Sequence, residues 1–241
     1  MPGFILHLLH GKLFLEQYGK TFSEREKSQF TIGLLMPDSN KIINCTLDNS
    51  HYYGTKQNGN ILKFPDLDQF PYYSLIDSPY VLGYLAHLYL DRFFFSDFFL
   101  RYVHFLDEND EKTLVKSAIK RVWLVQSNQY ISVDELFSEQ YLYGDYTMLN
   151  QFIVNKYNIS PIDCVQVNNS IQEVDINNFE SIRKSLNRYL SDSSGQTNTR
   201  VFPLEALEST IERYAYGFGQ WTDGIKKGLR YLSTVGGKDD E

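Results

Sequence analysis

Apolar residues recur with helical spacing along most of the chain. The apolar positions within residues 4–15 predict an opening helix that ends near Gly19. The sequence S-E-R-E at residues 23–26 has the form of a capping box and predicts the start of a second helix, which Pro37 should end. Both N-terminal helices are therefore defined by their spacing and by the residues at their ends.

The most apolar segment begins at Pro79 and predicts a central helix that continues to about Leu106. Residues 39–78 are rich in Asn, Asp, Gly, Pro and Tyr, which indicates a long ordered excursion of the kind that often carries function. Further helices are predicted over residues 111–126, from Val133 behind a capping box at 132–135, over 146–157, over 179–190, and from Pro203 toward Tyr216. A β hairpin is an alternative interpretation of residues 159–174. We expect one all-α domain over residues 1–241, with 236–241 as a frayed tail.

Charge and cysteine content narrow the possible partners. The 241 residues include 23 Lys and Arg against 30 Asp and Glu, a net charge of −7. Because backbone binding to nucleic acid depends on clustered positive charge, nucleic acid is not expected as a partner. Cys45 and Cys164 lack C-x-x-C spacing, so they predict neither a disulfide framework nor a thiolate metal site, and we expect ordinary buried thiols.

The apolar runs are short. The N-terminal segment has no basic region and no small-residue cleavage site of the kind found in secretory signals. The longest uncharged apolar run, residues 79–90, falls well short of the ~20 residues that a membrane span needs. We therefore expect a cytoplasmic protein without stable membrane insertion.

The central helix carries the clearest chemical pattern, His87-x-x-x-Asp91. Residues four apart lie on the same helical face, where an imidazole and a carboxylate can bind one ion. An unpaired carboxylate in an apolar stretch would cost several kcal/mol. The alternative is that His87 is a core histidine and that Asp91 pairs with an arginine of another helix.

Three further residues interrupt or end apolar segments in the first quarter of the chain: His7, Asp38 and His51. Each has a simpler explanation alone, as a core histidine, a turn residue after Pro37 and a surface loop residue, respectively. Together with His87 and Asp91 they form a set of imidazoles and carboxylates. Catalytic zinc and similar divalent cations take such ligands and keep an open position for water.

In order and spacing, four segments resemble the zinc-dependent phospholipase C family, including its small bacterial members. They are MPGFILHL, IGLLMPDS, NSHYY and YVLGYLAHLYLD, all within residues 1–105. The resemblance implies a helical fold and one or two zinc ions. It implies that His51, His87 and Asp91 bind one ion, that Asp91 bridges to a second ion held by His7, and that Asp38 orients or deprotonates the attacking water.

The sequence also departs from that family. Secreted members build a third metal site from a further histidine and an H-x-x-x-E pair, whereas the only histidine after Asp91 is His104 and no H-x-x-x-E follows. The third site is therefore absent or rebuilt from carboxylates such as Asp97, Asp145 or Glu173. The family also uses a processed N-terminal amine as a metal ligand. Because no signal sequence is expected here, we expect no such amine to contribute to the second site. The second half of the chain carries no recognisable motif.

Neighbouring residues receive supporting roles. His10 shares a helix side with His7 and is expected to pack behind the ligands. The aromatic run at 93–99 is expected in the core, and Gly144 and Asp145 are expected at a junction where one helix breaks and the next is capped. Tyrosines of the excursion are candidates for the rim of a site: Tyr52, Tyr53, Tyr72 and Tyr73.

Three functions fit the sequence. The first is a metal-dependent phosphoester hydrolase of phospholipase C type, acting on a small phosphoester because the acidic chain has little attraction to anionic lipid. The second is an HD-type nucleotide phosphohydrolase, which the lack of an adjacent His-Asp pair disfavours. The third is a non-catalytic metal-binding or scaffold descendant of the phospholipase family.

Overall fold

A computed structural model describes residues 3–42, 47–160, 162, 165–191 and 198–235. Its fold is predominantly helical. The helices are α1 (Phe4–Tyr18), α2 (Glu24–Leu35), α3 (Ser39–Ile42), α4 (Pro79–Phe93), α5 (Leu100–Tyr102), α6 (Val133–Leu136), α7 (Leu142–Tyr157), α8 (Phe179–Ser191) and α9 (Leu204–Val235). Cys45, Cys164 and the tail 236–241 lie outside the described residues, as does part of 159–174, whose described residues contain no strand.

The predicted helix ends are confirmed where local chemistry defines them. The Ser23 backbone N–H donates to Glu26 Oε2 at 2.8 Å, and Ser23 Oγ accepts from the Glu26 backbone N–H at 3.3 Å. A second capping box joins Ser132 and Glu135 in the same way at the start of α6. At the other end of α1, the Gly19 N–H donates to the Leu15 carbonyl at 2.9 Å. Each pair satisfies backbone groups that a helix end leaves without partners.

A small antiparallel sheet replaces part of the predicted helical structure. Its strands are β1 (Val103–Leu106), β2 (Arg121–Leu124) and β3 (Gln129–Ile131), in the order β1-β2-β3. The central helix therefore ends at Tyr102, after a π-helical turn at Phe94–Phe99, and the predicted helix over 111–126 is wrong. In β2 the side chains alternate, with Val122 and Leu124 buried. That period of two is the strand period, which four residues are too short to reveal by spacing alone.

Two helices in the second half also differ from prediction. Helix α7 begins at Leu142, so Gly144 lies inside it rather than between helices. A Cβ at Gly144 would collide with the Glu139 carbonyl oxygen, which explains the glycine. Asp145 does not cap α7 but accepts hydrogen bonds from the backbone N–H groups of Arg200 and Val201 at 2.8–2.9 Å. Helix α9 continues past Tyr216 to Val235.

Helices α2 and α4 cross with their backbones in contact. A Cβ added to Gly33 would collide with the Tyr80 carbonyl oxygen, and one added to Gly83 would collide with the Phe30 carbonyl oxygen. Only glycine permits this approach. The crossing brings the C-terminal end of α2 against the middle of α4, where His87 lies. The predicted core role of the aromatic run is confirmed for Phe94, Phe95, Phe98 and Phe99, which are buried, whereas Phe93 is half-buried.

None of the helices in the described part of the chain is both long enough and apolar enough to cross a membrane.

Candidate metal centre

Five buried side chains from four parts of the chain converge at one place. His7 comes from α1, Asp38 from the 3₁₀ turn after α2, His51 from the excursion, and His87 and Asp91 from α4. None of the five is more than 1% exposed. The fold therefore brings together the five His and Asp residues that the sequence analysis connected with the first two metal sites and the attacking water.

Three donor atoms of this cluster are spaced as ligands around one ion, and an oxygen of Asp38 lies beside them. His51 Nε2 lies 3.2 Å from His87 Nε2, 3.3 Å from Asp91 Oδ2 and 3.4 Å from Asp38 Oδ1. His87 Nε2 lies 3.6 Å from Asp91 Oδ2 and 3.9 Å from Asp38 Oδ1. Tetrahedral zinc, with ligands at about 2.0–2.1 Å, separates its ligand atoms by about 3.3–3.4 Å. The site thus needs only small adjustments to hold such an ion.

Asp91 also faces a second group of donors. Its Oδ1 lies 3.3 Å from His7 Nε2, while its Oδ2 faces His51 and His87. The His7 ring stacks on the His87 ring with centroids 3.7 Å apart and an interplanar angle of 4°. His7, His87 and Asp91 form one group of potential ligands, and Asp38, His51 and His87 form another. Asp91 therefore directs one oxygen toward His7 and the other toward His51 and His87.

Several of these polar atoms lack hydrogen bonds. Among the described residues, both ring nitrogens of His7 and both carboxylate oxygens of Asp91 are buried without a partner in hydrogen-bond geometry. Leaving a buried polar group unpaired costs about 1–3 kcal/mol, and more for a charged one. Coordination of a cation would satisfy the Asp91 oxygens and His7 Nε2 together. The residues present therefore fit a divalent metal ion.

Hydrogen bonds behind two histidines fix which nitrogen faces the cluster. His87 Nδ1 lies 2.8 Å from the Leu34 carbonyl oxygen, which can only accept, so Nδ1 carries the proton. With Nδ1 used in this bond, Nε2 is the nitrogen that faces the centre. His51 Nδ1 lies 3.1 Å from Ser50 Oγ, and the Ser50 carbonyl accepts from the Tyr84 hydroxyl at 2.6 Å. Such contacts orient metal-binding imidazoles and are typical of metal sites.

The protonation states of His7 and Asp91 suit cation binding, whereas at His51 a cation would compete with the proton that the raised pKa favours. Burial, followed by the charge of His87, lowers the pKa of His7 to about 4, although Asp91 opposes the shift. Burial pushes the pKa of Asp91 upward, but His87, His51 and His7 outweigh it and hold that pKa well below its usual range. Burial likewise opposes the charged form of His51, yet Asp38 and Asp91 raise its pKa. The centre thus holds an ionised carboxylate and a neutral His7 near neutral pH.

A cavity of about 320 Å³ adjoins the cluster at Asp38. Its lining comes mainly from one face of α7, at Tyr143, Tyr146, Thr147 and Asn150, together with Gly3, Phe4, Asp38 and Glu139. The loop tyrosines proposed for the rim are not among these lining residues. Sequence reasoning missed the α7 residues, although their spacing of three, four and seven marks them as one helix face.

The remaining candidates lie elsewhere in the fold. His10 is buried against Tyr89 and Phe218, and burial followed by the nearby His7 lowers its pKa to about 3. His104 Nε2 lies 3.1 Å from Lys112 Nζ. The three carboxylates considered for a third metal site have other partners: Asp97 binds Arg101 and Tyr214, Asp145 binds the backbone at 200–201, and Glu173 binds Tyr72.

Comparison with known proteins adds no relative: no family model, curated protein or solved structure matches the chain.

Proposed function

We propose that this protein is a metal-dependent phosphoester hydrolase of phospholipase C type, holding one or two divalent cations, with zinc as the first candidate. The observation that carries this proposal is a set of three buried donor atoms 3.2–3.6 Å apart, from His51, His87 and Asp91, beside Asp38 and its cavity. The proposal is also supported by a resemblance to that family in the order of the motifs around His7, Asp38, His51 and His87. The proposed substrate is a small phosphoester.

The residues take separate roles in this proposal. His51, His87 and Asp91 hold the first cation, and His7 with the other oxygen of Asp91 holds the second. A bound divalent cation would lower the pKa of a coordinated water to about 7 and stabilise negative charge on phosphoryl oxygens. Asp38 is the cluster residue that also lines the cavity, so its carboxylate is placed to accept a proton from the attacking water.

The burial of the cluster favours a second candidate function. Every member is at most 1% exposed, which is also what a purely structural metal site would show. In that case the protein would be a non-catalytic metal-binding descendant of the family. The alternative of an HD-type nucleotide phosphohydrolase receives no support, because the adjacent His-Asp pair of that family is missing from the sequence.

The first experiment is elemental analysis of protein purified without chelator, comparing the wild type with His87→Ala and Asp91→Ala. We expect about one or two equivalents of metal in the wild type and a loss in both variants, because each removes a ligand atom. His104→Ala is the matched control, since His104 lies on β1 outside the cluster. Absence of metal under every loading condition would reduce the cluster to a buried polar group and end the hydrolase proposal.

Turnover separates the two candidate functions. Metal-loaded protein is assayed on a panel of phosphodiesters and phosphomonoesters beside Asp38→Asn. The hydrolase proposal expects turnover in the wild type and a loss of about 10²–10⁴-fold in Asp38→Asn, with the metal retained. Stoichiometric metal without turnover on a broad panel would favour the non-catalytic candidate. Unchanged turnover in Asp38→Asn would refute Asp38 as the proton acceptor.

A further inference from the structure

The hydroxyl of Tyr146 is buried and has no hydrogen-bond acceptor among the described residues. Tyr146 lies on α7 and lines the cavity that also reaches Asp38. Its Oη is inaccessible to solvent and has no hydrogen-bond partner among the residues that the structure describes. A folded protein seldom leaves a buried hydroxyl unpaired, because the unsatisfied group costs free energy. An orphaned donor beside a cavity points to a ligand that accepts from it.

The surroundings define what Tyr146 can offer. Burial, and then the nearby negative charge of Asp91, raise the pKa of its hydroxyl above the ordinary range. Tyr146 therefore stays neutral and protonated. Among the described residues that line the cavity there is no Lys or Arg, and Asp38 and Glu139 are acidic. An anionic group entering this space would find a neutral hydroxyl rather than a positive side chain.

We propose that the Tyr146 hydroxyl binds the substrate by donating a hydrogen bond to a non-bridging oxygen of its phosphoryl group. This inference rests on the proposed function and assigns a substrate-binding residue outside the motifs of the first 105 residues. It gives the second half of the chain a part in the site, since α7 carries the donor. Asn150, one turn further along the same face, lines the same cavity.

The test measures the binding of inorganic phosphate to metal-loaded protein by isothermal titration calorimetry. Tyr146→Phe removes the hydroxyl and keeps the ring. We expect a loss of phosphate affinity of roughly tenfold or more, as for a hydrogen bond to a charged acceptor. The metal content should not change, and the melting temperature of the metal-free protein should stay the same or rise, because the hydroxyl has no partner to lose.

Tyr130→Phe is the matched control. Tyr130 lies on β3, is 55% exposed and is not among the residues along the cavity wall, which are those of α7 with Gly3, Phe4, Asp38 and Glu139. Its variant should bind phosphate like the wild type. If Tyr146→Phe binds phosphate as tightly as the wild type, the proposal for Tyr146 is wrong and the hydrolase proposal stands. If the metal-loaded wild type neither binds phosphate nor turns over any phosphoester, the proposed function fails and the role of Tyr146 fails with it.

Discussion

Replacing Asp91 with asparagine should weaken binding of the proposed metal ion without removing volume from the core. Asp91 is the residue whose two oxygens face different histidines, Oδ2 toward His51 and His87 and Oδ1 toward His7. Asparagine keeps the shape but loses the negative charge and turns one oxygen into an NH₂ donor. Whichever way the amide lies, one group of imidazole nitrogens then faces a donor instead of an acceptor.

The size of the effect follows from linkage between binding and folding. At a free metal concentration 100 times the Kd, the metal stabilises the wild type by about 2.7 kcal/mol. For a chain of this length that corresponds to a rise of roughly 5–11 °C in Tm. Loss of even a supporting group of a metal site weakens affinity by roughly 10–100-fold, so loss of a ligand should reach at least about 100-fold. At the same metal concentration the variant would then gain only about 0.4 kcal/mol, or roughly 1–2 °C.

The assay is thermal unfolding, followed by circular dichroism, in buffers of fixed free zinc concentration. Asp97→Asn is the control, because Asp97 follows on the same continuous helical segment but pairs with Arg101 and Tyr214 at a side-chain exposure of 37%. It should lose no more than about 1 kcal/mol, as surface ion pairs do, and keep the full zinc response.

Two results would refute the reasoning. One is a wild type whose Tm does not respond to zinc, manganese or iron at any concentration, which would mean that the three donor atoms do not bind an ion. The other is an Asp91→Asn variant that responds to zinc as strongly as the wild type, which would mean that the ion binds elsewhere.

Three further predictions concern the framework of the site. Tyr84→Phe removes the hydroxyl that donates to the Ser50 carbonyl and should lower the unfolding free energy by about 1–3 kcal/mol in chemical denaturation. Metal binding should also weaken, because Ser50 contacts His51 Nδ1. Unchanged stability and affinity would contradict this prediction. Gly83→Ala should lower the unfolding free energy by several kcal/mol, as severe overpacking does, because the new Cβ would collide with the Phe30 carbonyl oxygen. Gly224→Ala is its control in the same denaturation assay. A Cβ there meets no described atom within 4 Å, so this variant should be tolerated. The pKa of His10 is about 3 in the folded protein and about 6.5 in the unfolded chain. Between these pH values only the unfolded state binds a proton at His10. The metal-free protein should therefore lose stability as the pH falls from about 6.5 toward 3. His10→Leu should flatten that loss in denaturation curves taken across the range, and an unaltered slope would count against the assignment.

Helix ends could be predicted from the sequence because they depend on neighbouring residues. The capping boxes at Ser23 and Ser132 form between residues three apart, so the motif already contains both partners. The strand at Arg121–Leu124 could not be predicted in the same way. It is stabilised by pairing with β1, about 20 residues earlier in the chain, and that pairing is not encoded in any local period. The sequence therefore predicted the predominantly helical character better than the region between residues 103 and 131.

The candidate site divides along the same line. Helical spacing alone places His87 and Asp91 on one face, but convergence with His7, Asp38 and His51 depends on how separate segments pack. The motif resemblance supplied that long-range information for the first 105 residues. It supplied nothing for α7, where no recognised motif includes Tyr146. Its burial and its missing partner become visible only once α7 is packed beside Asp38.

The glycine crossing of α2 and α4 bears on which ions the centre can accept. Because main chain rests on main chain at Gly33 and Gly83, the separation between the end of α2 and His87 does not depend on the rotamer of any intervening side chain. A frame of this kind cannot widen easily. Calcium needs ligands at about 2.3–2.6 Å and six to eight oxygens, whereas zinc needs about 2.0–2.1 Å and four ligands. For the proposed metal ion, we therefore expect the crossing to favour the shorter ligand distances of zinc over those of calcium.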